Sequence, residues 1–225
     1  MIYFEDFISM GALEKTLWLE RNRPANKSSL SGRKPVYGIG INDALYCVKP
    51  RLNGRQVVDP AYETWQGMLE RAYSTKLHEK LPTYIGVKVC SEWHSFMSFR
   101  EWWMVHQVEG WHLDKDIIGN HREYSPEKCI FVPDWINVFT TDHRSARGDW
   151  PIGVHFDKGS GLFRAQCSNK SKKKQEHLGM FKSAECAHRA WRNRKIELIN
   201  IMKAETDRID KRIHDGLLRI IKEVI

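Results

Sequence analysis

The chain has 225 residues, a formal charge of +8 and an apolar share of 41%. That fits one to two small globular domains with real cores, and the cationic excess suits a polyanionic partner. No apolar run reaches the roughly 20 residues of a membrane span, and MIYFEDFISM carries acids where a signal peptide carries bases. The expectation is therefore an intracellular, cytoplasmic protein with no membrane partner. Five cysteines, odd in number, widely spaced and without a CxxC pair, argue against a disulfide framework.

Residues 1–35 read as an arm. Met10 to Leu19 can form an amphipathic helix, and RNRPANKSSLSGRKP has the composition of a linker. Its basic residues, Arg33 and Lys34 among them, could track a phosphate backbone or simply solvate a tether. From Val36 to Val58 apolar and polar residues alternate, and Asn53-Gly54 marks a hairpin turn. Pro60 to Arg71 reads as a helix, Tyr84 to Trp93 as a strand and Ser95 to Val105 as a second helix. Phe96, Phe99 and Trp103 share one face of that helix and belong to a core rather than to a base-stacking surface.

Trp111 to Asn137 reads as a strand (His112 to Ile117), a polar loop, a strand (Cys129 to Val132) and a short helix opened by Pro133-Asp134. Asp114, Asp116, Asn120, His121 and Asn137 offer oxygen or imidazole ligands, the chemistry of a divalent metal beside a phosphate. Without that setting, Asp114, Lys115 and Asp116 would read as a solvated charged strand.

After a polar connection, Pro151 starts three strands, with a tight turn at Gly159 to Gly161 and the loop NKSKKKQ between the second and third. Ser183 is a plausible N-cap for a helix running to about Glu205. Thr206-Asp207 reads as a break before a last amphipathic helix, with Ile209, Ile213, Leu217, Ile220 and Val224 in a stripe. That stripe could pack on its own domain or form a homodimer seam. Period-two alternation puts Val154, Phe156, Phe163, Ala165 and Cys167 on the helix side, and His155, Asp157, Arg164, Gln166 and His177 on the other. Arg and Gln suit base reading, whereas Lys158, Lys170, Lys172, Lys173 and Lys174 suit phosphate contacts.

On LDKDI, Gly119-Asn120, YSPEKC (Tyr124 to Cys129), Phe131-Val132 and Asn137, the chain resembles the HNH, or ββα-metal, endonucleases, in particular those of bacteriophages. Tyr62 to Trp93, with Phe96, Phe99 and Trp102, is similar to the segment preceding the motif in those proteins. The resemblance implies one Mg2+ or Mn2+ held by Asp114 and Asn137, with Asn120 holding the hairpin. Lys115 falls where those enzymes carry their general-base histidine. A lysine is protonated at neutral pH, and losing such a base typically costs on the order of 10² to 10⁴ in rate. His121 and, second to it, His112 are the candidate substitutes, and the catalytic set is Asp114, Lys115, Asp116, Asn120, His121 and Asn137. Further on, IGV, LFRAQ, HLGMF and the alanine-rich helix resemble the DNA-binding domain of plant Apetala and ethylene-response factors. In that family the exposed sheet face enters the major groove.

The expected fold is α+β. It comprises an N-terminal helix and basic linker (1–35), an HNH-like ββα-metal domain (36–146), a three-stranded antiparallel sheet packed on a helix (147–205) and a C-terminal helix (206–225). The expected function is a phage-type HNH endonuclease, homing or nicking, acting on double-stranded DNA in the host cytoplasm. Its rival is a catalytically inactive HNH-derived DNA-binding protein acting as a repressor.

Overall fold

The structure, a computed structural model, describes residues 4–140, 149–169 and 174–224. It is mixed α+β and divides into two compact units, Met1–Phe131 and Val132–Ile225. The sequence reading instead put a domain boundary at 146/147. No helix among the described residues is long and apolar enough to cross a membrane.

The first unit opens with α1 (Phe4–Ser9) and α2 (Ala12–Asn22), which bury Phe7, Thr16 and Leu19. The expected linker contains a short helix, α3 (Lys27–Ser31), because Asn26 Oδ1 accepts Ser29 N–H at 2.7 Å and caps its start. Arg33 corrects the reading of that stretch as a phosphate tracker. Its guanidinium donates to the carbonyls of Asn42 (2.7 Å), Ala44 (2.5 Å) and Tyr46 (3.0 Å), so it holds a turn together. Lys34 is exposed.

Strands β1 (Arg51–Leu52) and β2 (Arg55–Gln56) pair antiparallel around Asn53 and Gly54, at φ +49° and +79°. Two consecutive left-handed residues are what an Asn-Gly hairpin turn supplies. Asp59 then caps α4 (Pro60–Tyr73), with Pro60 in the first turn, where a missing N–H costs nothing. After α5 (Thr75–Lys80), the expected strand from Tyr84 to Trp93 shrinks to β3 (Lys88–Val89). Gly86 at φ +82° precedes it and a 3-10 turn (Ser91–His94) follows, so little extended chain remains.

Helix α6 (Phe96–His106) buries Phe96, Phe99 and Trp103, as its spacing predicts. Trp93 meets Phe99 edge-on at 5.1 Å, and Trp65 Nε1–H donates to the Trp93 carbonyl at 2.7 Å. Strand β4 (His112–Asp114) pairs with β6 (Ile130–Val132), while β5 (Glu123–Tyr124) runs parallel to β3. This aromatic core is the bed on which the charged turn after β4 is built.

In the second unit, α7 (Asp134–Thr140) precedes the antiparallel sheet β7 (Val154–Asp157), β8 (Leu162–Asn169), β9 (Lys174–Phe181). Helix α8 (Ala184–Ile201) covers one sheet face, meeting Val154 and Ala165 with Ala184 and Ala187. Small residues there let helix and sheet approach closely. Gly153 shows how closely: at φ +81°, an added Cβ would run into the Trp191 ring. Gly153→Ala should therefore lower the unit's stability by about 2 kcal/mol or more, read as a lower denaturant midpoint.

Thr206-Asp207 is not the break expected from sequence. Those residues lie inside α9 (Lys203–Ile209), and the chain breaks at Met202 and again at Asp210. Asp210 starts α10 (Lys211–Glu223) by accepting Arg212 N–H at 2.8 Å. The apolar stripe of α10, with Ile213, Leu217, Ile220 and Ile221, is buried against helices of its own unit. Buried Lys195 of α8 donates to the Phe139 carbonyl at 2.8 Å, placing a cation at the C-terminal end of α7 where the helix dipole favours one.

Candidate functional site

Strand β4 stops at Asp114 because the Asp114 side chain competes for the backbone. Its Oδ1 accepts the amides of Asp116 (2.8 Å) and Ile117 (2.7 Å), closing a tight turn where the sequence suggested continued strand. Asp114 is only 7% exposed, and its Oδ2 accepts no hydrogen bond among the described residues. Burial and then the neighbouring Asp116 push this carboxyl above the usual range, against the two amides and Lys115.

Lys115 is 5% exposed, which overturns the solvated-strand alternative. Its ammonium is ion-paired with Asp116 Oδ1 and lies 5.5 Å and 5.6 Å from the centres of the Tyr84 and Tyr124 rings. A cation between two ring faces and a carboxylate is well compensated for its burial. Asp116 also meets His121 Nδ1 at 3.0 Å. Burial pushes the Asp116 carboxyl up, but the bond from His121 and the Lys115 cation outweigh it and hold it below the usual range.

His121 sits at φ +63°, a left-handed conformation that a non-glycine residue adopts at a cost of roughly 1–2 kcal/mol. Asn120 helps fix that corner, its Oδ1 accepting Arg122 N–H at 3.2 Å. Gly119 admits the loop, since an added Cβ would strike the Lys115 carbonyl. Four of the expected site residues, Asp114, Lys115, Asp116 and His121, are thus drawn into one charged turn, with Asn120 bordering it. Asn137 lies half-buried on α7 of the second unit.

A hard divalent cation needs several oxygen ligands, of which waters and substrate phosphates commonly supply most. Among the described residues, no group of three or more His, Cys, Asp or Glu side chains could hold a metal. Asp116 is neutralised by Lys115 and bonded to His121, so of the two carboxylates of this turn Asp114 is the one that could serve as a metal ligand. Its carboxylate fits that role: one oxygen is fixed by backbone amides and the other accepts no hydrogen bond among the described residues.

The second candidate surface is the sheet face away from α8. His155 pairs across strands with Arg164, Arg164 with Met180, and Gln166 with His177. Arg164, Gln166, Gln175, His177 and Met180 line a shallow depression of about 350 Å³. His155, Lys158, Lys174 and His177 are exposed, whereas Lys170, Lys172 and Lys173 lie outside the described residues. Gln175 and Met180 are additions to the sequence reading. Strict alternation would put His177 and Met180 on opposite faces, but a bulge beside Ala165 and Gln166, with Gly179 at φ +129°, rephases β9 and brings them together. The glycine inside a strand was the available signal.

No protein-family model, curated protein or solved structure matches the chain.

Proposed function

We propose that the chain is a phage-type HNH endonuclease, homing or nicking, that cuts double-stranded DNA with one divalent metal. The second unit would be an Apetala-like DNA-binding module. The observation that carries this reading is the Asp114 carboxylate, held rigid through Oδ1 while Oδ2 accepts no hydrogen bond among the described residues. A Mg2+ or Mn2+ bound at Asp114 would supply Lewis-acid stabilisation of the oxygen leaving phosphorus. The His121 imidazole, oriented by Asp116, would be the general base for the attacking water. Asp116 also tethers the Lys115 ammonium, which adds positive potential beside the phosphate.

A second reading is favoured by Lys115. A buried, ion-paired ammonium in the base position suits a scaffold that grips phosphate without cutting, as a DNA-binding repressor. Plasmid nicking with Mg2+ or Mn2+, run beside filter binding in EDTA, tests the pair. Nicking supports the endonuclease; tight binding in EDTA with no nicking under any divalent ion supports the repressor.

Under either reading, the sheet face would supply specificity. Arg164→Ala should cost about 1–3 kcal/mol at the preferred site and relax discrimination there. Replacing Lys158 and Lys174 with alanine should weaken binding to all sequences, lowering the slope of log K against log salt by about one unit per lost phosphate contact. Equal, sequence-independent losses from both changes would reduce the sheet to an electrostatic platform.

A further inference from the structure

We infer that Asp157 determines specificity in the second unit, by holding Arg164 away from the phosphate backbone and presenting it to a guanine edge. This rests on the DNA-binding reading of that unit. Asp157 ends β7, and its Oδ1 accepts Gly159 N–H (3.0 Å), Ser160 N–H (2.9 Å) and the Ser160 hydroxyl (3.2 Å). The turn alone therefore fixes this carboxylate, whatever Arg164 does. Its other oxygen, Oδ2, then accepts from Arg164 NH2 at 2.7 Å, diagonally across the two strands.

The consequence is electrostatic. The Arg164 side chain is 39% exposed on a cationic face, where an unpaired guanidinium would bind any phosphate within reach, without regard to sequence. Paired with Asp157, it can meet a phosphate only by bringing that anion beside a fixed carboxylate. A guanine edge is uncharged and offers two acceptors, N7 and O6, to the guanidinium's remaining donors. One carboxylate thus penalises the wrong contact and leaves the right one available. The neighbours suit base reading too, since Gln166, His177 and Met180 surround Arg164 with further polar and apolar contacts for base edges.

Asp157→Asn is the informative variant, because its carboxamide oxygen can still serve the turn while the charge is lost. Full-length protein in EDTA is titrated over a range of salt into its preferred duplex, selected from a randomised library, and into a non-preferred duplex of equal length. The variant should bind the non-preferred duplex several-fold more tightly, with a salt slope steeper by about one unit. Its preferred-to-non-preferred ratio should fall roughly tenfold. On an Arg164→Ala background the same change should move that ratio less than about twofold, because Asp157 acts through Arg164. Arg164→Lys, which leaves the turn untouched, should lose the ratio and keep the slope. An unchanged ratio in Asp157→Asn or Arg164→Lys, or an equal fall on the Arg164→Ala background, overturns the inference. Absence of salt-dependent DNA binding by the wild type would instead sink the DNA reading itself.

Discussion

Asp114→Asn should reduce single-turnover DNA cleavage by about 10²-fold or more, while leaving DNA affinity in EDTA unchanged or slightly raised. Asparagine keeps an oxygen for the amides of Asp116 and Ile117, so the turn survives and only the anionic ligand is lost. Metal stabilisation of transition-state charge amounts to several kcal/mol, and each ~1.4 kcal/mol is a factor of ten in rate. Affinity should not fall, because the change removes a negative charge near phosphate. Asp114→Ala would be less informative, since it also strands two backbone amides. A large loss of binding by a folded Asp114→Asn protein would make Asp114 structural and place the site elsewhere.

The second large effect is on stability. Asp59→Ala should destabilise the first unit by about 3–5 kcal/mol, a large share of the ~5–15 kcal/mol that holds an ordinary domain together. Asp59 is fully buried. Its Oδ1 accepts from Thr16 Oγ1 (2.7 Å) and from the Ala61 amide (2.8 Å), and its Oδ2 from the Tyr46 hydroxyl (2.5 Å). Burial and then this carboxylate push the Tyr46 hydroxyl far above its usual range, so Tyr46 stays a donor. Removing Asp59 leaves two hydroxyls and the helix-start amides of Ala61 and Tyr62 without their acceptor, each costing roughly 1–3 kcal/mol if it stays buried and unpaired. Chemical denaturation should show a lower midpoint at an unchanged slope. A loss below about 1 kcal/mol would mean that water or a rearranged partner satisfies those groups.

The Asp59 network also separates what the sequence discloses from what it withholds. Pro60 before an apolar periodic run announces a helix start, as Ser183 does before α8, because helix starts are set by chemistry between near neighbours. The Asn53-Gly54 turn is legible for the same reason. Thr16 and Tyr46 reach Asp59 only through tertiary packing, and no local pattern encodes that meeting. Arg33 was misread likewise: a basic residue in a polar stretch looks solvated until the chain folds back and offers three carbonyls. Lys115 needed the Tyr84 and Tyr124 rings and the Asp116 carboxylate to become a buried residue. In β9 alternation identified His177 as outward but hid Met180, because one bulged residue reverses the phase of everything after it. The charged turn was legible as a cluster of ligand-type residues. Which oxygen of Asp114 serves the backbone was not, since that depends on how the chain turns after β4.

The most direct test of the proposed activity is a nicking time course on supercoiled plasmid. Wild type and Asp114→Asn, purified in parallel, would each be run in EDTA, in Mg2+ and in Mn2+. Open circles should accumulate only with the wild type and only with Mg2+ or Mn2+. No open circles from the wild type with either ion, or equal rates from the two proteins, would contradict a metal-dependent endonuclease built on Asp114.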